Sequence, residues 1–175
     1  MLRCDGCGVA FTTPKLPIEE LSRYYSREYY SLGNNLKLEE ATRPHNEARL
    51  GRICRYAASG KLLDIGAGTG MFLRTARDGG FDVEGLEFSA EAAEFGRTTW
   101  GLNIRQGNLS EASFRENHYD VVTLSHVYEH VHEPRKTAVQ LQSIVRQNGV
   151  LVIAVPNFES IQAKAFRSKW FHLDV

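Results

Sequence analysis

The stretch Leu62-Leu63-Asp64-Ile65-Gly66-Ala67-Gly68-Thr69-Gly70 sets three alternating glycines directly behind an apolar run. Glycines at such a turn adopt backbone angles closed to other residues and let the main chain approach a ligand with no Cβ in the way. A helix opening on that turn offers unpaired N–H groups and a partial positive charge. Glu87 ends the next apolar run, seventeen residues after Gly70, where a carboxylate accepts hydrogen bonds from two ribose hydroxyls. The same charge repels a ribose 2′-phosphate. Dinucleotide sites read G-x-G-x-x-G and bring a pyrophosphate to the helix. The tighter G-x-G-x-G of Gly66, Gly68 and Gly70 therefore disfavours, without excluding, a nicotinamide-dependent oxidoreductase.

A second group of reactive side chains runs from Ser125 through His126, Glu129, His130 and His132 to Glu133. Histidine takes up a proton near neutral pH and so serves general-base chemistry. His126 and His130 stand four apart, yet the order departs from H-E-x-x-H and no third ligand follows at helical spacing, which argues against a metal. Two readings stay open: a Glu–His pair that orients a loop, and a base at His126 or His130. Cys4-Asp5-Gly6-Cys7 is a zinc-type knuckle, but a structural zinc site commonly needs two such pairs. Cys54 is expected inside the apolar face of a helix, as core rather than ligand.

These residues need a scaffold, and the chain alternates short apolar runs with amphipathic ones, the pattern of repeated βαβ units. Strands are expected at Lys61–Ile65, Asp82–Glu87, Leu102–Arg105, Asp120–Ser125 and Val150–Val155. The last two are almost continuously apolar, as strands buried on both faces of a parallel sheet are. Helices are expected at Met71–Asp78, Ala90–Thr99 and Pro134–Arg146. Pro134 starts the last of these, Val139, Leu141, Ile144 and Val145 form its packing stripe, and Asn148-Gly149 turns the chain into the final strand. Upstream, Pro44–Ser59 reads as a helix with Leu50, Ile53, Cys54, Ala57 and Ala58 on its apolar side, and Ile18–Tyr30 as another. Gly33-Asn34-Asn35 reads as a loop between them.

The 175 residues suit one domain, and the balance of 21 Lys+Arg against 21 Asp+Glu gives no reason to expect a nucleic-acid or acidic-membrane partner. Three Cys make no disulfide framework, and no run reaches the ~20 apolar residues of a membrane span. A soluble, cytoplasmic protein is expected.

On the glycine turn and its acidic partner, the chain resembles the class I S-adenosylmethionine-dependent methyltransferases. The resemblance implies a three-layer α/β Rossmann-like fold with strand order 3-2-1-4-5. It assigns Asp64, Gly66, Ala67, Gly68 and Gly70 to the cofactor, with Glu87 on the ribose and Phe88 beside it. Asn108, after the third strand, resembles the position that meets the adenine amino group, and Leu109 lines the ring; a plain Gly-Asn turn is the alternative. The segment 119–134 resembles a fourth-strand signature of one subgroup, which places Ser125 and His126 at the strand end beside the cofactor and makes Glu129 and His130 candidates for the pocket floor or the substrate side.

Residues 4–14 resemble the second half of an amino-terminal zinc ribbon in the same subgroup, leaving Cys4 and Cys7 as half a metal site. Tyr24, Tyr25, Tyr29 and Tyr30 match a Tyr-rich segment that forms a lid in family members, with packing of an amphipathic helix as the alternative. Residues 1–60 are thus read as ribbon remnant and lid, and 61–175 as the cofactor-binding core. The family's last two strands are not found, so a homo-oligomer is one way to cover the fifth strand's edge. The implied reaction is methyl transfer to a small-molecule oxygen, nitrogen or carbon, with sugars and secondary metabolites as the leaning. A non-catalytic cofactor-binding or assembly module is the rival from another class.

Overall fold

The computed structural model describes residues 2–11, 13 and 35–170. A short antiparallel ribbon, β1 (Leu2–Arg3) with β2 (Ala10–Phe11), carries the Cys4–Cys7 knuckle at its turn. Helix α1 (Asn35–Cys54) leads into an alternation of strand and helix: β3 (Gly60–Ile65), α2 (Met71–Asp78), β4 (Phe81–Glu87), α3 (Ala90–Trp100), β5 (Ile104–Gln106), β6 (Tyr119–Ser125), α4 (Pro134–Ile144) and β7 (Val145–Ala154). A last short helix, α5 (Ile161–Phe166), follows. The five strands from β3 to β7 form one parallel sheet in the order β5-β4-β3-β6-β7, which is the expected 3-2-1-4-5.

Side chains alternate across the sheet and so divide the core in two. Leu62 and Val121 face one layer, with Leu50 and Ile53 of α1, Phe72 and Leu73 of α2 and Ala93 of α3. Leu63, Val122 and Leu124 face the other, with Leu141 and Ile144 of α4. β3 and β6 are the central pair, and burying each such Leu or Val contributes roughly 1.5–3 kcal/mol. The structure is the expected three-layer α/β sandwich. Among the described residues no helix is long and apolar enough to cross a membrane.

Several local expectations are corrected. Helix α1 begins at Asn35, not Pro44, and ends at Cys54, not Ser59, so Pro44 lies inside it and removes one N–H from its ladder. Cys54 is exposed; the buried stripe of α1 runs through Leu50 and Ile53, and one further residue turns the side chain outward by about 100°. Val139 is likewise 66% exposed, because it stands about 200° around α4 from buried Leu141.

Asn148-Gly149 does not precede the last strand but sits within it. Pairing with β6 passes from Tyr119↔Val145 to Val121↔Val150, and the extra residues bulge out with Asn148 at φ 64°. β7 is also not buried on both faces: it is the sheet's edge, and Leu151 and Ile153 are each 40% exposed. The Ile18–Tyr30 helix with its tyrosines, and the start of the Gly33-Asn34-Asn35 loop, lie outside the described residues.

Candidate functional site

The carboxyl ends of β3, β4, β5 and β6 open onto one cavity of about 450 Å³. In open α/β sheets ligands bind at this end, beside the point where strand order reverses, here between β3 and β6. Its wall is drawn from the glycine turn (Gly66, Gly68), the end of β4 (Glu87, Phe88), the loop after β5 (Asn108, Leu109), the end of β6 (Ser125, His126) and the face of α4.

The glycine turn is held in a left-handed path by three positive φ angles, 76° at Gly66, 55° at Gly68 and 82° at Gly70. At Gly66 a Cβ would overlap Val127 Cγ2, and at Gly70 it would overlap Leu102 Cδ1, so a larger residue at either place must displace a packed side chain as well as hold a left-handed backbone. The turn is tied to the neighbouring strand: the amides of Gly66 and Ala67 both donate to the Leu86 carbonyl, at 2.8 and 3.0 Å.

Glu87, only 3% exposed, completes this attachment. Its Oε2 accepts from the Gly68 amide at 2.7 Å and its Oε1 from the Ser89 amide at 2.8 Å. The Ser89 hydroxyl then caps α3 by accepting from the Ala92 amide. One buried carboxylate thus orders the glycine turn and the start of α3 while standing in the cavity wall.

Asp64 is placed differently. Its carboxylate is buried, accepts a hydrogen bond from the Thr123 hydroxyl and pairs with the Arg49 guanidinium at 2.9 Å. It does not belong to the cavity lining; nor do Ala67 and Gly70, whose part in the turn is conformational. Burial pushes the Asp64 carboxyl above the usual carboxylate range, against the opposing pull of Arg49 and Thr123. Arg49 comes from α1 and also stacks on the Phe72 ring at 3.6 Å.

On the opposite wall, His126 follows β6 with a left-handed φ of 55°, unusual for a residue with a side chain, and its amide donates to the Ala154 carbonyl at the end of β7. Beyond it Tyr128–His130 form one 3₁₀ turn, braced by the Tyr128 hydroxyl donating to the Pro134 carbonyl at 2.7 Å. His126 and His130 both line the cavity. Glu129 lies behind them, outside the lining, with Oε1 3.4 Å from His126 Nδ1.

The structure therefore gathers Gly66, Gly68, Glu87, Phe88, Asn108, Leu109, Ser125, His126 and His130 around one space. Sequence reasoning missed Arg49, whose partner lies fifteen residues away on another element. It also missed the polar face of α4. Glu133, Lys136, Thr137 and Gln140 all line the cavity and follow the i, i+3, i+4, i+7 spacing of one helical stripe, a signal that was present. The two thiols of the knuckle lie in the β1–β2 turn. Neighbouring backbone amides of Cys7 and Gly6 lower the Cys4 thiol from its ordinary value, as suits a ligand, yet among the described residues no three metal-binding side chains gather. Two thiols do not complete a four-ligand zinc site.

With this geometry in hand, comparisons with known proteins add a family. Residues 38–174 match the family described as a methyltransferase domain. The chain is 32% identical over 95 residues to a demethylmenaquinone methyltransferase of Renibacterium salmoninarum, covering 54% of this chain and 40% of that protein. It is 28% identical over 120 residues to a ubiquinone biosynthesis O-methyltransferase of Nitrosospira multiformis, covering 64% and 50%. The chain thus spans half or less of the length of these curated relatives. Among solved structures, a DhpI–SAM–HEP complex superimposes with a TM-score of 0.62 at 26% identity, covering 90% of this chain and 74% of that one. A glycine turn pinned to a buried strand-end glutamate, on a 3-2-1-4-5 parallel sheet, now coincides with a family match over most of the length: the chain belongs to the class I S-adenosylmethionine-dependent methyltransferases.

Proposed function

We propose that this chain binds S-adenosylmethionine in the cavity at the ends of β3–β6 and transfers its methyl group to a small-molecule acceptor. Glu87 carries the reading: it is an acid 3% exposed that nonetheless stands in the cavity wall, where ribose hydroxyls would find an acceptor. A cavity of about 450 Å³ also suits a nucleoside-sized ligand. Gly66 and Gly68 leave room for the methionine part, Phe88, Asn108 and Leu109 flank the base, and Ser125 stands between cofactor and acceptor. Asp64, paired with Arg49, steadies the turn from behind. Both relatives carry names of small-molecule methyltransferases, which supports the acceptor class.

When bound, the cofactor supplies an electrophilic methyl on a sulfonium whose leaving group is a neutral thioether. The protein then needs no general acid. Alignment of acceptor and methyl provides most of the acceleration, of the order of 7–11 kcal/mol for well-oriented partners. His126 is the base that takes the proton of a hydroxyl or amine acceptor, with Glu129 Oε1 3.4 Å from its Nδ1 and His130 completing that wall.

The test is a calorimetric titration with S-adenosylhomocysteine and with NADH, followed by a labelled-methyl screen against phenols, sugars and amines. Binding of the first alone, with turnover of an acceptor, is expected. Replacing His126 by Ala should then cut kcat about 10²–10⁴-fold while cofactor affinity holds. NADH binding alone would restore the oxidoreductase reading; cofactor binding with no turnover across the screen would leave a binding module.

A further inference from the structure

The loop after β5 carries Asn108 and Leu109; its first amide, of Gly107, donates to the Glu87 carbonyl at 2.9 Å, and beyond that the segment 108–112 bonds largely within itself. The amides of Glu111 and Ala112 donate to the Asn108 carbonyl, at 3.1 and 2.9 Å, and the Ser110 amide donates to Asn108 Oδ1 at 3.1 Å. These close the loop on itself. While Gly107 and Ser113 at the loop's two ends bond Glu87 and Arg105, the side-chain tie to residues 108–112 from another element comes from Gln140 in the middle of α4. Its Nε2 donates to the Leu109 carbonyl at 3.0 Å and to the Ala112 carbonyl at 3.1 Å. Two carbonyl acceptors spend both hydrogens of that amide and so settle which end is nitrogen. Gln140 itself lines the cavity, beside Leu109 and Val131.

We infer that Gln140 is a positioning residue for base recognition: it clamps the loop 108–112 so that Asn108 and Leu109 meet the adenine at a fixed distance. This deepens the proposed function and rests on it. α4 also carries Thr137 and Lys136 along the same cavity face. The helix that walls the acceptor side therefore holds the purine side as well, through one glutamine.

The experiment compares native protein, Gln140→Ala, Gln140→Glu and Gln140→Lys for binding of S-adenosylhomocysteine and of S-inosylhomocysteine, in which the adenine amino group is replaced by oxygen. Exchange of the amides of residues 108–112 is followed in the ligand-free proteins. Gln140→Ala and Gln140→Glu should weaken S-adenosylhomocysteine about 5- to 150-fold, the range of two net hydrogen bonds to main-chain carbonyls, and narrow the preference for it over the inosine analogue. The same variants should speed amide exchange in the loop while β3 and β6 stay protected. Gln140→Lys, which keeps a donor on a chain of similar reach, should recover most of both. A folded Gln140→Ala with affinity, preference and loop exchange all within twofold of native overturns the inference and leaves the cofactor reading standing. Failure of the native protein to bind S-adenosylhomocysteine overturns both.

Discussion

Arg49 and Asp64 form the most consequential pair outside the cavity, and a double-mutant cycle on them tests how the glycine turn is supported. Their side chains are 13% and 4% exposed, so each needs the other: neither charge has ready access to water. Arg49→Met removes the counter-charge and the stacking on Phe72 while keeping most of the stem. It leaves a buried carboxylate held only by the Thr123 hydroxyl, which costs about 3–5 kcal/mol. In a chain of this length that lowers Tm by about 6–20 °C. Asp64→Asn costs less, because Asn still accepts from Thr123 and Arg49 lies nearer the surface. The double variant Arg49→Met/Asp64→Asn carries no buried charge at this place and should lie within about 2 kcal/mol of native.

The pH dependence has a definite sign. Burial raises the folded carboxyl of Asp64 above its unfolded value. Its contribution is therefore complete below the unfolded value and is lost as pH rises through the folded one. Arg49 opposes that rise; without it the loss moves to higher pH and deepens, so Arg49→Met should trail native most at neutral pH and least in acid. Thermal melts and urea titrations from acid to neutral pH, with calorimetry against S-adenosylhomocysteine, make the assay. The double variant should keep affinity within threefold, since Asp64 accepts from both Arg49 and Thr123 on Oδ1 and does not line the cavity. A double variant as unstable as the two single losses combined refutes the pairing argument. A folded one whose affinity falls more than about thirtyfold (about 2 kcal/mol) gives Asp64 a direct role in holding the cofactor.

Glu87→Gln keeps the side chain's size but loses its charge and turns an NH₂ towards an amide donor. It should weaken S-adenosylhomocysteine about 10- to 100-fold by calorimetry, and unchanged binding would remove Glu87 from the ribose. Gly66→Ala forces a side chain into a φ of 76° and against Val127; it should lower stability by about 1–3 kcal/mol in urea titration and weaken cofactor binding, and a neutral outcome would show that the turn relaxes. Tyr119→Phe removes the hydroxyl that donates to Glu84 at 2.7 Å. It should cost about 0.5–1.5 kcal/mol in thermal melts, with Arg105 still holding the carboxylate. Cys4, its thiol lowered by the amides of Cys7 and Gly6, should alkylate with iodoacetamide at lower pH than an ordinary thiol of about 8.5; a pH profile by mass spectrometry that follows the ordinary thiol would count against the knuckle geometry.

What could be read from the residues in advance was what local spacing encodes. The continuous apolar run of β6 announced a strand buried on both faces, and the glycines behind β3 announced a turn that a ligand approaches. Position around a helix is less legible. Cys54 and Val139 stand among apolar residues in the sequence, although one or two residues swing a side chain to the far face. Pairings between elements left no mark at all: nothing near Asp64 points to Arg49, and nothing near Leu109 points to Gln140.

The same distinction explains β7. Its apolar run predicted burial on both faces, yet burial depends on what lies beside a strand, and β7 lies at the edge. Its importance to the site comes instead from its last residue, Ala154, whose carbonyl accepts from the His126 amide. A left-handed backbone at a residue with a side chain costs about 1–3 kcal/mol unless its surroundings hold it. Here the holding group is the end of β7, so the angle that turns the 126–130 loop over the cavity depends on where the edge strand ends. Because that bond comes from the edge strand, a change that shifts β7 along β6 reaches His126 before it reaches the glycine turn, and the wall built by residues 126–130 is lost while the wall built on the glycine turn still stands.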